Sequence, residues 1–131
     1  MRILIVEDEI ANRTLLQACL QDIHDTDTAS NGEEAVALFG KAHEQGRPYR
    51  LILLDIEMPV MDGQAALKAV REHEKALGVQ PGDKVAVLMI SAHDDRANVW
   101  KAFFQGQASG YLVKPVGREN LLATINELRL G

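Results

Sequence analysis

A single cysteine, Cys19, occurs in 131 residues, so no internal disulfide can form and a cross-linked secreted scaffold is excluded. No apolar stretch approaches the ~20 residues needed to span a bilayer, and the N-terminal run Ile3–Val6 is too short for a signal-peptide core. The expected address is therefore the cytoplasm. Basic residues are in deficit, 14 Lys plus Arg against 19 Asp plus Glu for a net charge of −5, and no basic stripe collects on any predicted helix. Direct binding to nucleic acid is not expected. Low-complexity stretches, linkers and internal repeats are also lacking, which excludes disordered and solenoid architectures.

What remains is ordinary globular composition, 47% apolar and 25% charged, in a length suited to one domain covering residues 1–131. Such a chain buries about two-thirds of its extended surface on folding. Cys19 falls at helical spacing with Leu15, Leu16, Leu20 and Ile23, which reads as a small core residue rather than a reactive thiol.

Runs rich in Val, Ile and Leu at Ile3–Val6, Leu51–Leu54, Val85–Ile90 and Tyr111–Val113 read as strands covered on both faces. A more polar segment, Thr26–Ala29, fits an edge strand. Helical patterns fall between all of these runs, giving five strands and five helices in alternation, and hence an α/β fold with a parallel sheet. Asn31 with Glu34 forms a capping-box pattern, and Gly63 opens the Ala66, Leu67, Val70 stripe. The stretch Gly78–Asp83 cannot continue a helix and is expected to be a solvated loop.

In an open parallel sheet, ligands bind beyond the carboxyl ends of the strands. There the first strand offers Glu7, Asp8 and Glu9, the third Asp55, the fourth Ser91 and the fifth Lys114 followed by Pro115. If Glu7, Asp8 and Asp55 converge, each like-charge pair at about 4 Å repels by roughly 4 kcal/mol at an effective dielectric of 20. Lys114 balances one charge, and oxygen ligands without clustered His or Cys favour a hard cation such as Mg²⁺ over zinc or copper. Any one of these acids alone would read as a helix cap or a solvated loop residue. Their coincidence with Lys114 outweighs that reading.

The stretches Ile-Leu-Ile-Val-Glu-Asp-Glu, Leu-Ile-Leu-Leu-Asp-Ile-Glu-Met-Pro-Val-Met-Asp-Gly, Ile-Ser-Ala and Gly-Tyr-Leu-Val-Lys-Pro occur in order at the strand ends. In these, and from Arg2 to about Leu130, the sequence resembles a bacterial two-component response-regulator receiver domain, of the single-domain chemotaxis-regulator kind. That resemblance implies a doubly wound, flavodoxin-like sheet of order 2-1-3-4-5. It makes Asp55 the phosphoacceptor, with Mg²⁺ held by Asp8, Asp55 and the Glu57 carbonyl oxygen, and Glu7 acting through water. It further implies that Lys114 offsets charge, that the Ser91 hydroxyl holds a phosphoryl oxygen, and that the Lys114–Pro115 bond is cis.

By the same resemblance Glu57 and His93 flank the water that hydrolyses the aspartyl phosphate, and Tyr111 acts with Ser91 as a switch. A histidine kinase or histidine phosphotransferase is the implied donor. A downstream protein or a second copy meets the face formed by the fourth helix, fifth strand and fifth helix. Ala97, Val99, Trp100, Phe103 and Phe104 cover an arc of roughly 160° on that fourth helix, wider than the ~100° of one core contact.

Four departures from the family pattern stand out: Glu7 for the commoner Asp, Ser91 for the commoner Thr, the long connection after the third helix, and Gln107 in the turn before Tyr111, with Gly106 one place early. A phosphohydrolase with an aspartyl-phosphate intermediate is disfavoured because Glu57 stands where its second Asp would be. A flavodoxin-like electron carrier is disfavoured because Glu7, Asp8 and Glu9 would repel the flavin phosphate. A receiver segment of a longer regulator or hybrid kinase is the remaining alternative.

Overall fold

The computed structural model describes residues 1–55, 63–92 and 108–130, with backbone alone at 64 and 92. Five strands, β1 (Arg2–Val6), β2 (Asp25–Ala29), β3 (Leu51–Asp55), β4 (Ala86–Ala92) and β5 (Gly110–Lys114), form one sheet of order β2-β1-β3-β4-β5. All four pairings are parallel. Four α-helices are described: α1 (Ile10–Leu20), α2 (Gly32–Glu44), α3 (Gly63–Leu77) and α4 (Arg118–Glu127). The last is the fifth helix of the sequence pattern; the expected fourth, over residues 97–106, lies outside the described residues.

Alternation along the strands divides the core in two. Leu4, Val6, Ile52, Leu54, Val87 and Met89 face α2 and α3, meeting Phe39, Leu67 and Val70. Ile3, Ile5, Leu51, Leu53, Leu88 and Ile90 face α1 and α4, meeting Leu16, Leu20, Leu121 and Ile125. The near-continuous apolar runs of β1, β3 and β4 follow from this double coverage. Cys19 joins the second cluster as a buried free thiol, whereas Leu15 and Ile23, expected beside it, are more than half exposed.

Local signals explain the helix boundaries. Asn31 Oδ1 accepts the Glu34 backbone N–H at 2.8 Å, capping α2. The other half of the expected capping box is diverted, because the Glu34 carboxylate accepts from Ser30 Oγ at 3.0 Å. At the end of α3, Gly78 adopts φ 71° and Val79 N–H reaches back to the Glu74 carbonyl at 3.0 Å, a left-handed C-terminal turn that glycine enters without a Cβ clash. The following segment is exposed as expected, but it contains a 3₁₀ turn at Pro81–Asp83.

The chain is then pinned to β4 through a buried charge. Glu74 is fully buried, and its carboxylate accepts the Val85 backbone N–H at 2.7 Å and the Arg71 guanidinium at 2.7 Å. The same Arg71 nitrogen donates to the Val85 carbonyl at 2.8 Å, closing the clasp.

Candidate functional site

Order reverses between β1 and β3, which leave the topological switch point on opposite sides. Val6 pairs with Leu54, so Glu7 and Asp55 emerge side by side at the carboxyl ends of these strands. Glu7 N–H donates to the Ala29 carbonyl at 3.0 Å, fixing the backbone where its side chain turns inward. Both carboxylates are 2% exposed, while Asp8, one residue beyond Glu7, is exposed. One carboxylate oxygen from each of Glu7, Asp8 and Asp55 lies within 4.8 Å of the others, a hard-donor cluster that fits a divalent cation.

β5 supplies the counter-charge. Lys114 Nζ donates to Asp55 Oδ2 at 3.1 Å and stands 3.6 Å from Glu7 Oε1, and the Lys114–Pro115 bond is cis. Partial burial pulls the Lys114 pKa down, but the hydrogen bond and negative charge of Asp55, with those of Glu7, outweigh it and raise the pKa above its ordinary value. It stays an ammonium.

Glu7 responds in the opposite sense to its charge. Burial first, then a hydrogen bond with Asp55 and the Asp55 charge, push its pKa up to about 7, against the lowering effect of Asn12 and Lys114. Glu7 therefore holds its proton up to near-neutral pH in the metal-free protein.

Ser91 is buried at the end of β4, one residue past Ile90, the register partner of Asp55, and opposite Val113. Tyr111 lies on β5 opposite Met89 with its side chain 49% exposed. Glu57 and His93 lie outside the described residues, as do Trp100, Phe103 and Phe104.

Two neighbours of the cluster were not singled out from the sequence. Asn12 Nδ2 donates to Glu7 Oε1 at 3.0 Å, and Arg13 Nη1 donates to the Glu7 carbonyl at 3.0 Å. Both project from the first turns of α1 back over the end of β1. The only sequence signal was their spacing of five and six residues from Glu7. Next to them, Glu7, Asn12 and Lys114 share a cavity of about 340 Å³ with apolar Leu15, Pro115 and Val116.

The model of the family described as response regulator receiver domain matches residues 3–126, and the chain belongs to that family. Among curated relatives, the two-component response regulator ORR41 of Oryza sativa is 33% identical, with all of this chain matching 96% of that protein. The sensor histidine kinase GacS of Pseudomonas protegens is 30% identical over 95% of the chain, which spans only 13% of that protein's length. Among solved structures, the receiver domain of Saccharomyces cerevisiae Ssk1, crystallised with the histidine phosphotransfer protein Ypd1, superposes with a TM-score of 0.84 at 29% identity, over 98% of this chain and 88% of that one. The chain is thus a receiver domain of two-component signalling, a module found both alone and inside hybrid kinases.

Proposed function

We propose that this receiver takes a phosphoryl group from a phosphohistidine onto Asp55, with Mg²⁺ bound, and alters its surface to control a protein partner. The observation that carries this reading is the convergence of three carboxylates with Lys114, whose Nζ is 3.1 Å from Asp55 Oδ2. Mg²⁺, when bound, neutralises the carboxylates and the incoming phosphoryl oxygens. Asp8 and Asp55 would hold it together with the Glu57 carbonyl oxygen, and Glu7 would act through a water.

Asp55 supplies the nucleophile: an Oδ–P bond forms as the P–N bond to the donor imidazole breaks, and the imidazole leaves with its electron pair and picks up a proton. Lys114, held as an ammonium, offsets charge on the transferring group. The Ser91 hydroxyl donates to a phosphoryl oxygen. Its displacement toward the phosphoryl group opens room that the half-exposed Tyr111 ring fills, so the inward ring position gains stability only after phosphorylation.

The fourth helix of the sequence pattern with β5 and α4 forms the output face, meeting a downstream protein or a second copy. Glu57 and His93 set the rate at which water removes the phosphoryl group. Autophosphorylation and autodephosphorylation are the only chemistry, and the domain, residues 1–131, works in the cytoplasm. No described helix is long and apolar enough to cross a membrane. The donor is a histidine kinase or histidine phosphotransferase, as the Ssk1–Ypd1 complex suggests. The 13% share of GacS keeps a second reading, a receiver within a longer regulator or hybrid kinase.

Phosphoramidate, a small P–N donor, tests this. With Mg²⁺ the protein should gain the mass of one phosphoryl group, and Asp55→Asn should gain none; equal uptake by both would reject the reading.

A further inference from the structure

At the end of the sheet away from Asp55, α3 and the chain that follows it enclose a groove of about 510 Å³. Lys68, Arg71 and Lys75 line it from α3 at helical spacing, and Lys84 faces them from the connection into β4. This corrects the expectation that no basic stripe collects on any helix: Lys68, Arg71 and Lys75 share one face of α3, and the fold adds Lys84 across from them. Four cations stand against the single carboxylate of Glu72, in a chain whose net charge is −5. The Arg71 charge is offset by buried Glu74, so the attraction rests on three exposed lysines, none of them in an ion pair among the described residues.

The walls of the groove are set in place before any partner arrives. The Gly78 turn fixes the exit from α3, and the Arg71–Glu74–Val85 clasp anchors the far side where β4 begins. Val79 and Pro81 add apolar contact between the charged walls. The backbone that carries the lysines is thus fixed, and binding has only side-chain freedom left to remove there.

We propose that this groove docks an acidic segment of a partner protein. Lys68 and Lys75 are seven residues apart, about 10 Å along the helix, which matches acidic residues two turns apart on a partner helix. Three lysines in so short a span suit a carboxylate-bearing peptide. A nucleic acid backbone needs a longer basic track to offset the repulsion of a net-negative protein. Because the groove lies opposite the phosphoacceptor end of the strands, its occupant binds independently of the phosphoryl donor, and its contacts are separable from the chemistry at Asp55.

Amide resonances of the full chain titrated with a hexaglutamate peptide at low ionic strength test the proposal. Shifts should cluster within residues 68–84, saturate, and weaken at least tenfold on raising salt from low to physiological strength. They should vanish in the triple variant Lys68→Glu, Lys75→Glu, Lys84→Glu. That variant should keep its melting temperature and its phosphoryl uptake from phosphoramidate. If the triple reversal disturbs folding, Lys84→Ala alone should still weaken the peptide severalfold. Absent shifts, or shifts equal in wild type and variant, would overturn the proposal. So would tighter binding of oligothymidylate than of the peptide at the same lysines, which would assign the groove to nucleic acid.

Discussion

Asn12 Nδ2 donates a 3.0 Å hydrogen bond to Glu7 Oε1, on the carboxylate whose proton affinity burial and Asp55 raise most. The bond favours the ionised form of Glu7, the form needed to hold a cation's water. Asn12→Ala should push the Glu7 pKa further above 7 and weaken Mg²⁺ binding at neutral pH about fivefold, the equivalent of one hydrogen bond of ~1 kcal/mol. Calorimetric titration checks this, and unchanged affinity would remove Asn12 from the site.

The raised Glu7 pKa fixes a pH dependence for the metal-free protein. A carboxyl whose folded pKa exceeds its unfolded value binds more protons folded than unfolded, so stability falls as pH rises. The fall should span pH 4.5 to about 7, the two ends of the Glu7 shift. In EDTA the melting temperature should therefore be a few degrees higher at pH 6 than at pH 8. With saturating Mg²⁺ the difference should shrink or reverse, because proton and cation compete for the same oxygens. An EDTA melting temperature that rises over this interval would contradict the electrostatics.

Charge repulsion among Glu7, Asp8 and Asp55 should destabilise the fold when no cation is bound. Asp8→Asn removes one of the three charges from the exposed rim, where its replacement costs no packing. Its melting temperature in EDTA should exceed wild type by a few degrees, and Mg²⁺ should no longer stabilise it appreciably. A lower melting temperature in EDTA would show that Asp8 serves the fold rather than the metal.

Glu74 gives a contrasting case, a charge that serves the fold alone. Glu74→Ala leaves the Val85 N–H and the Arg71 guanidinium without their buried acceptor and should cost about 3–5 kcal/mol. Urea denaturation measures it. Phosphoryl uptake per folded molecule should be unaltered, since the clasp lies at the start of β4 and Ser91 near its end.

β1, β3 and β4 were legible because double coverage makes each a run rich in Val, Ile and Leu, and polar β2 differs from expectation only by the added Asp25; β5, expected to be covered on both faces, instead leaves Tyr111 and Val113 more than two-fifths exposed at the sheet edge. The carboxylates and Lys114 were legible because parallel topology sends the residue after every strand to one end. Asn12 and Arg13 were not, because their role depends on how α1 leans over β1, which spacing alone does not fix. Glu74 looks like any acid on an exposed helix, and only packing against β4 buries it. Likewise, the lysine groove joins one helical face to a loop nine residues beyond Lys75, a juxtaposition no local pattern encodes.

The assignment of Asp55 as phosphoacceptor is tested most directly by trapping the acyl phosphate. After incubation with phosphoramidate and Mg²⁺, borohydride reduces an aspartyl phosphate to homoserine, and peptide mass mapping locates it. The expected result is homoserine at position 55 alone, dependent on Mg²⁺ and greatly reduced by Lys114→Ala. Homoserine at Asp8 or another acid, or a phosphoryl group on a residue that borohydride does not reduce, would contradict it.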